Sequence, residues 1–278
     1  MKFTKKIAVC MTLAMFAITM LTISAFAAEG VQADFLSGVV RVTGEGVGKS
    51  DYANNPGKFR LTAQKAARMD AQAKLVEYIN AEVATNASMT DTELDSYIVK
   101  TAAQGAIKES VEVGEPIYNR EEGTAKVVME MRLFGGKGSV AEVAYLPFKD
   151  EPKIPFMQPS TPAAQADVNY TGLIIDCRGK NLKPVMSPII KNADNTPIYG
   201  HKNLDYDKII VNGMVSYVND ISDEVCRSRA GSNPLIITAS NLADTNSNPV
   251  VSNADADKIL AANQRDGFLN NCAVVFVK

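Results

Sequence analysis

Five polar residues in the second half of the chain have the types from which a reactive centre is built: Asp176, Arg178, His201, Asp205 and Asp207. A carboxylate beside an imidazole can move a proton, and a guanidinium can hold an anion. Asp176 closes the apolar run Leu173-Ile174-Ile175. The spacing predicts a strand ending in a carboxylate, a common position for site residues in α/β sheets. No spacing brings His201 to Asp176 or to a nucleophile, and its neighbours Gly200 and Lys202 predict a surface position. Asp176, Arg178 and Tyr199 form the candidate ligand-binding set, for a small molecule or a glycan. The chain has no Trp, which weakens a stacking-based sugar site. The alternate carboxylates Asp205/Asp207 and Asp255/Asp257 lack the glycine and later glutamate of a calcium loop. They read as acids at helix N-termini, and Arg227 and Arg229 as cations near a helix end.

A second stretch imitates a phosphate-binding loop: Thr43-Gly44-Glu45-Gly46-Val47-Gly48-Lys49-Ser50. That motif needs a glycine five residues before Gly48, and Thr43 stands there. Its lysine should open a helix whose N-terminal amides hold phosphate, whereas Lys49 leads into the Asn54-Asn55-Pro56-Gly57 loop. The glycine spacing also departs from the dinucleotide-binding fingerprint. The stretch reads as a glycine-rich turn where a strand passes into a loop.

The whole chain has 278 residues, 46% hydrophobic and 22% charged, which excludes a fully disordered or collagen-like protein. Lys plus Arg number 29 and Asp plus Glu 31, so the basic excess of a nucleic-acid binder is missing. One His and four Cys argue against a His-based or Cys-cluster metal site. Lys2, Lys5 and Lys6, an apolar stretch from Ile7 and the small-residue end Ala25-Phe26-Ala27 form the three parts of a secretory signal cut between Ala27 and Ala28. An uncleaved membrane anchor is the rival, since the stretch approaches a bilayer span. No Cys stands immediately after the cut, so no lipid anchor is expected. Removing the three lysines shifts the formal charge from −2 to −5. Cys177, Cys226 and Cys272 remain, as one bridge plus a free thiol or as three buried thiols.

The elements follow from period and punctuation. Pro147, Pro152, Pro155, Pro159 and Pro162 predict a semi-rigid linker over 147–167 between domains at 30–146 and 168–278. The alternative is a long loop docked through Ile154, Phe156 and Met157. In the first half, Val39–Thr43 predicts a strand. Ala63, Ala67, Ala71, Leu75, Ile79 and Val83 predict one face of a long helix over 59–85. Thr90 and Glu93 offer a capping box for a second helix. Val111–Tyr118 and Ala125–Leu133 predict a hairpin with one wet face. In the second half, strands are predicted at Leu173–Asp176 and Leu235–Ala239 and over 273–277, with a hairpin over 186–199. Helices are predicted at Asp205–Val211 and Asp220–Arg229 and after Ser252, with Met214–Val218 open between the two. The expected class is α+β: a small three-stranded sheet packed on a long helix, then a mixed α/β domain.

Val42-Thr43-Gly44-Glu45-Gly46, a loop, and then Ala63-x-x-Ala66-Ala67-x-x-Asp70-Ala71-x-x-x-Leu75-x-x-x-Ile79 resemble the Lpp-twenty-type envelope lipoproteins and the N-terminal domain of the FlgT flagellar assembly family, over residues 36–135. Gly172–Asp176, Pro188-Ile189, Tyr199-Gly200 and Asn233-Pro234-Leu235 resemble the C-terminal region of longer members. The resemblance implies an exported, non-catalytic envelope protein, at the outer membrane or in a ring around a flagellar basal body. It supplies no catalytic residues and no cofactor. The expected function is therefore structural or assembly-related, in the periplasm or at the cell surface. The expected partners are envelope proteins or further copies of the chain, not nucleic acid. The alternative is a periplasmic ligand-binding module.

Overall fold

The computed structural model describes residues 30–87, 95–160 and 168–278. The export segment with Ala27 and Ala28, and the capping box at Thr90 and Glu93, lie outside them. The class is α+β throughout.

The first half contains β1 (Val31–Asp34), β2 (Val39–Val47), α1 (Pro56–Ala87), α2 (Asp95–Ala106), β3 (Val111–Glu112), β4 (Ile117–Asn119), β5 (Thr124–Arg132) and α3 (Val140–Ala144). Its sheet runs β1-β2-β5-β3, with β4 also on β5. There are five strands rather than three. β1 precedes the first predicted strand, and Gly114 and Pro116 break the outer strand of the hairpin into β3 and β4. The alternate residues Val40 and Val42 of β2, and Ala125, Val127, Met129 and Met131 of β5, are buried, and both strands pack on α1.

The glycine run is not a turn. Gly44 and Gly46 lie inside β2, on its helix-facing side. A Cβ on Gly44 would stand 2.1 Å from the Ala67 carbonyl oxygen, and one on Gly46 2.3 Å from the Ala67 nitrogen. The strand rests directly on the helix backbone, which explains the alanines at 63, 67 and 71, all fully buried. Because β1 is short, the outer edge of β2 beyond Val42 has little strand to pair with, and α1 supplies the partners. Asp70 accepts from the Glu45 amide at 2.9 Å. Thr62 accepts from the Lys49 amide at 2.9 Å. Lys74 donates to the Thr43 carbonyl at 3.1 Å.

The second half contains β6 (Gly172–Asp176), β7 (Ile190–Lys191), β8 (Pro197–Tyr199), α4 (Tyr206–Asn212), β9 (Ser216–Val218), α5 (Glu224–Ala230), β10 (Pro234–Thr238), β11 (Asn241–Ala243), β12 (Asn248–Val250), α6 (Asn253–Asp266) and β13 (Val274–Val277). One sheet is wholly parallel, in the order β10-β6-β13-β9. Ile174, Val218, Val275 and Val277 face α5 through Cys226 and Ala230, and Leu173, Ile175, Val274 and Phe276 face the main core. Buried on both sides, these strands read as continuous apolar runs. A second sheet runs β11-β12-β7-β8. The β11–β12 hairpin carries no apolar alternation to announce it and turns through Asp244, Thr245 and Asn246, all at positive φ. α5 starts later than predicted because Asp220 accepts from the Ser222 amide and hydroxyl, making a local turn that competes with helix. The Ser252 cap of α6 forms as predicted, its Oγ accepting from the Asp255 amide at 3.1 Å.

One apolar core runs through both halves, joining Val40, Leu75 and Leu133 to Leu173, Ile190 and Phe276. The Tyr145 hydroxyl donates to the Met186 carbonyl at 2.5 Å, and that of Tyr206 to the Glu142 carbonyl at 2.7 Å. Phe35 meets Tyr217 edge-on at 5.7 Å. The described part of the proline segment docks on the second half. The Ile154 amide donates to the Lys202 carbonyl at 2.8 Å, Phe156 stacks on Tyr199 and Lys153 pairs with Asp205.

At this junction Tyr78 and Glu82 sit one turn apart on the inner side of α1. The Tyr78 hydroxyl is buried, and its polar neighbour is the Glu82 carboxyl. Burial pushes the Glu82 carboxyl up to about 7, only partly offset by Tyr78. Burial also raises the phenols of Tyr78, Tyr145 and Tyr217, and the Glu82 charge adds to it. No cation acts on Glu82 among the described residues.

Two outcomes follow from this packing. Gly44→Ala should lower the unfolding free energy by about 3 kcal/mol, since backbone lies on the far side of the missing Cβ. Gly105→Ala in α2, where a Cβ meets nothing within 4 Å, should raise it by about 0.5–1 kcal/mol. Urea titrations of the two variants check the contrast. The folded chain holds the Glu82 proton up to about pH 7, and the unfolded chain releases it near 4.5. The folded state therefore loses stability as pH rises from 4.5 to 7 and no further above that. Across that window the wild type should lose about 2–3 kcal/mol more than Glu82→Gln. Parallel stability–pH curves for the two proteins would refute the assignment.

Candidate functional site

Asp176 ends β6, at the edge where the other parallel strands also end, at Val218, Thr238 and Val277. The crevice beyond such ends is where open α/β sheets place their ligands. Arg178 folds back over Asp176. Its Nε donates to Oδ1 at 2.9 Å, its Nη2 to Oδ2 at 2.7 Å and its amide to Oδ1 at 3.1 Å. A second carboxylate, Asp220, stands 3.8 Å from the same guanidinium. The Arg178 bonds hold the Asp176 carboxyl below its ordinary range, and the Ser222 bonds do the same for Asp220. A carboxylate so stabilised is a poor general base near neutral pH. The arrangement suits closure of a strand end by an ion pair, with the Arg178 side chain half-exposed.

Tyr199 does not join this pair. It lies in β8 of the other sheet, fully buried, and its hydroxyl donates to the Met214 carbonyl at 2.6 Å. The Asp176–Arg178–Tyr199 set is thus two residues at a sheet edge and one in the core. Its apolar neighbours Pro197 and Ile198 place Tyr199 on a strand, but they do not say which sheet.

His201 is not at the surface. It is 7% exposed, and its ring lies 4.4 Å from that of Phe148. Burial pushes its pKa down to about 4, so it is neutral at physiological pH, and Nε2 has no partner. The flanking Gly200 and Lys202 misled because a single helical turn over His201–Asn203 directs the imidazole inward. Asp205 caps α4, accepting from the Asp207 amide at 3.0 Å, and Asp255 belongs to the α6 cap. Cys177, Cys226 and Cys272 are all buried free thiols, and burial pushes Cys177 up to about 12. Such thiols are inert as nucleophiles at neutral pH. Among the described residues no group of three or more His, Cys, Asp or Glu gathers as a metal set.

Sequence reasoning placed Arg229 at a helix end but missed its role. Its guanidinium is largely buried and donates to three carbonyls: Asn212 at 2.5 Å, Gly213 at 2.6 Å and Cys272 at 2.6 Å. It ties the end of α4 and the entry to β13 to α5. Its position two residues before Gly231 signalled only a helix end. Tyr145 was missed for a similar reason. A tyrosine among apolar residues shows no sign of the carbonyl that it will meet 41 positions away.

Residues 172–278 match the family model described as the second domain of Treponema pallidum Tp0624. The match opens on the first residue of β6 and covers the second half alone, under half of the chain. Comparison with curated proteins finds no match.

Proposed function

We propose that the chain is an exported, non-catalytic component of the cell envelope with a structural or assembly role, delivered to the periplasm or cell surface by residues 1–27. Residues 30–146 and 168–278 are its two domains, bridged by the proline segment. The observation that carries this reading is how the chemically capable side chains are used. Asp176 is closed by Arg178, Tyr199 holds a core carbonyl, His201 is buried and neutral and Arg229 holds three carbonyls on two segments. These groups stabilise the fold and leave no nucleophile–base pair among them. The resemblance of residues 36–135 to envelope and flagellar-ring proteins supports the same reading. It requires no cofactor, no lipid anchor and no nucleic acid.

A second reading, ligand binding in the second domain, is favoured by one feature: Arg178 lies between two carboxylates at the carboxyl ends of parallel strands. A small anionic ligand would compete with Asp220 for it.

Crosslinking in the source cells, followed by mass spectrometry, separates the two readings. The structural role predicts crosslinks to outer-membrane, peptidoglycan-associated or flagellar-ring proteins, or between copies of the chain, unchanged by Arg178→Ala. Absence of any crosslinked protein, together with a small anion that stabilises the wild type but not Arg178→Ala against heat, would overturn it.

A further inference from the structure

α1 covers one face of the first sheet, and no described element covers the other. Its outward residues fall in rows set by the strand register. The central row is Thr43, Val128 and Val113, the last joined through its amide to the Val128 carbonyl. On one side stand Gln32, Arg41, Glu130 and Val111, and beyond them Asp34, Val39 and Arg132. On the other stand Glu45, Lys126 and Ile117, and beyond them Val47 and Thr124. Several apolar side chains in these rows are open to solvent: Val47 62%, Val111 56%, Val113 40% and Ile117 69%. Such a concentration on one sheet face marks an interaction surface rather than scattered exposure.

The charges on this face show what fits it. Arg41 pairs with Glu130 at 2.6 Å, and Lys126 with Glu45 at 2.6 Å. The sign order therefore reverses between the two rows: cation on β2 and anion on β5 in one, anion on β2 and cation on β5 in the other. Consider a two-fold axis in the plane of the interface, perpendicular to the strands and through the central row. It lays Arg41 over the copy's Glu45 and Glu130 over the copy's Lys126. The same operation lays Val111 over Ile117, Val39 over Val47, and Val113 over Val113. In the two inner rows each cation meets an anion and the apolar positions meet one another, as a self-complementary two-fold contact requires, while Arg132 in the outer row meets Thr124. Two faces packed with their strands nearly aligned keep this correspondence.

We infer that the open face of the first sheet is an interface between two copies of this chain, related by that two-fold axis. The inference rests on the assembly reading above and names the surface through which the chain meets itself. A different protein on this face would have no reason to match its internal symmetry of sign.

Sedimentation equilibrium of the processed chain, residues 28–278, from micromolar to about 100 micromolar tests it. The wild type should dimerise. Val113→Asp sets two carboxylates against each other across the axis and should weaken the dimer at least tenfold. The pair Arg41→Glu with Glu130→Arg keeps the ion pair within the chain but lays like charges across the axis, and should weaken it similarly. Adding Glu45→Lys and Lys126→Glu to that pair should restore the dimer, which a merely unfolded variant could not do. Circular dichroism of each variant confirms its fold. A dimer insensitive to all these changes would overturn the surface and leave self-assembly standing. A wild type monomeric throughout would overturn the inference, and the structural role would then rest on crosslinks to other proteins.

Discussion

The first half of the molecule depends on one close approach, the passage of β2 across the backbone of α1. At 2.1 and 2.3 Å from where a Cβ would stand, no side chain fits at Gly44 or Gly46. The alanines opposite them remove the remaining bulk. This contact brings Thr62, Asp70 and Lys74 to the strand edge, where they satisfy backbone groups that β1 is too short to reach. It also sets the sheet's polarity. With α1 flat against one side, the other side is left as an open face with alternating charge.

The second half is held differently. Its parallel sheet is apolar on both sides, and its irregular segments are fixed by buried polar side chains that each reach a distant carbonyl. Arg229, Tyr145 and Tyr199 do this over sequence separations of 15 to 43 residues. A buried carbonyl without a partner costs on the order of 1–3 kcal/mol, so such ties are needed wherever loops enter the core. The same side chains are those that a search for chemistry would select. Tyrosine and arginine in an apolar setting look like a site and act here as internal struts. That overlap is why the reading of this chain turns on an exterior face and not on a crevice.

Much of the element order was legible in the sequence, for reasons that these residues make plain. The alanine and leucine recurrence from Ala63 to Val83 fixed α1, and the Ser252–Asp255 box fixed the start of α6. Gly231 marked the end of α5, and the apolar runs at Leu173 and Val274 marked buried strands. The failures share one cause. The Gly44–Gly48 run, the burial of His201 and the separation of Tyr199 from Asp176 each depend on what lies across the fold. Local period and turn chemistry carry no such information. The wet face of the hairpin was readable from alternation at Lys126, Glu130 and Arg132. Val128, which broke that alternation, marks the centre of the apolar belt.

With its polar groups committed to the fold, the chain is proposed to meet other molecules through the open sheet face. Hydrogen–deuterium exchange of residues 28–278, followed at rising concentration, tests both statements. Peptides spanning residues 111–119 and 124–132 should become more protected as concentration rises. Those over 172–180 and 216–224, at the carboxyl ends of the parallel strands, stay unchanged. Protection appearing at the strand ends instead, with 111–132 unaltered, would contradict them.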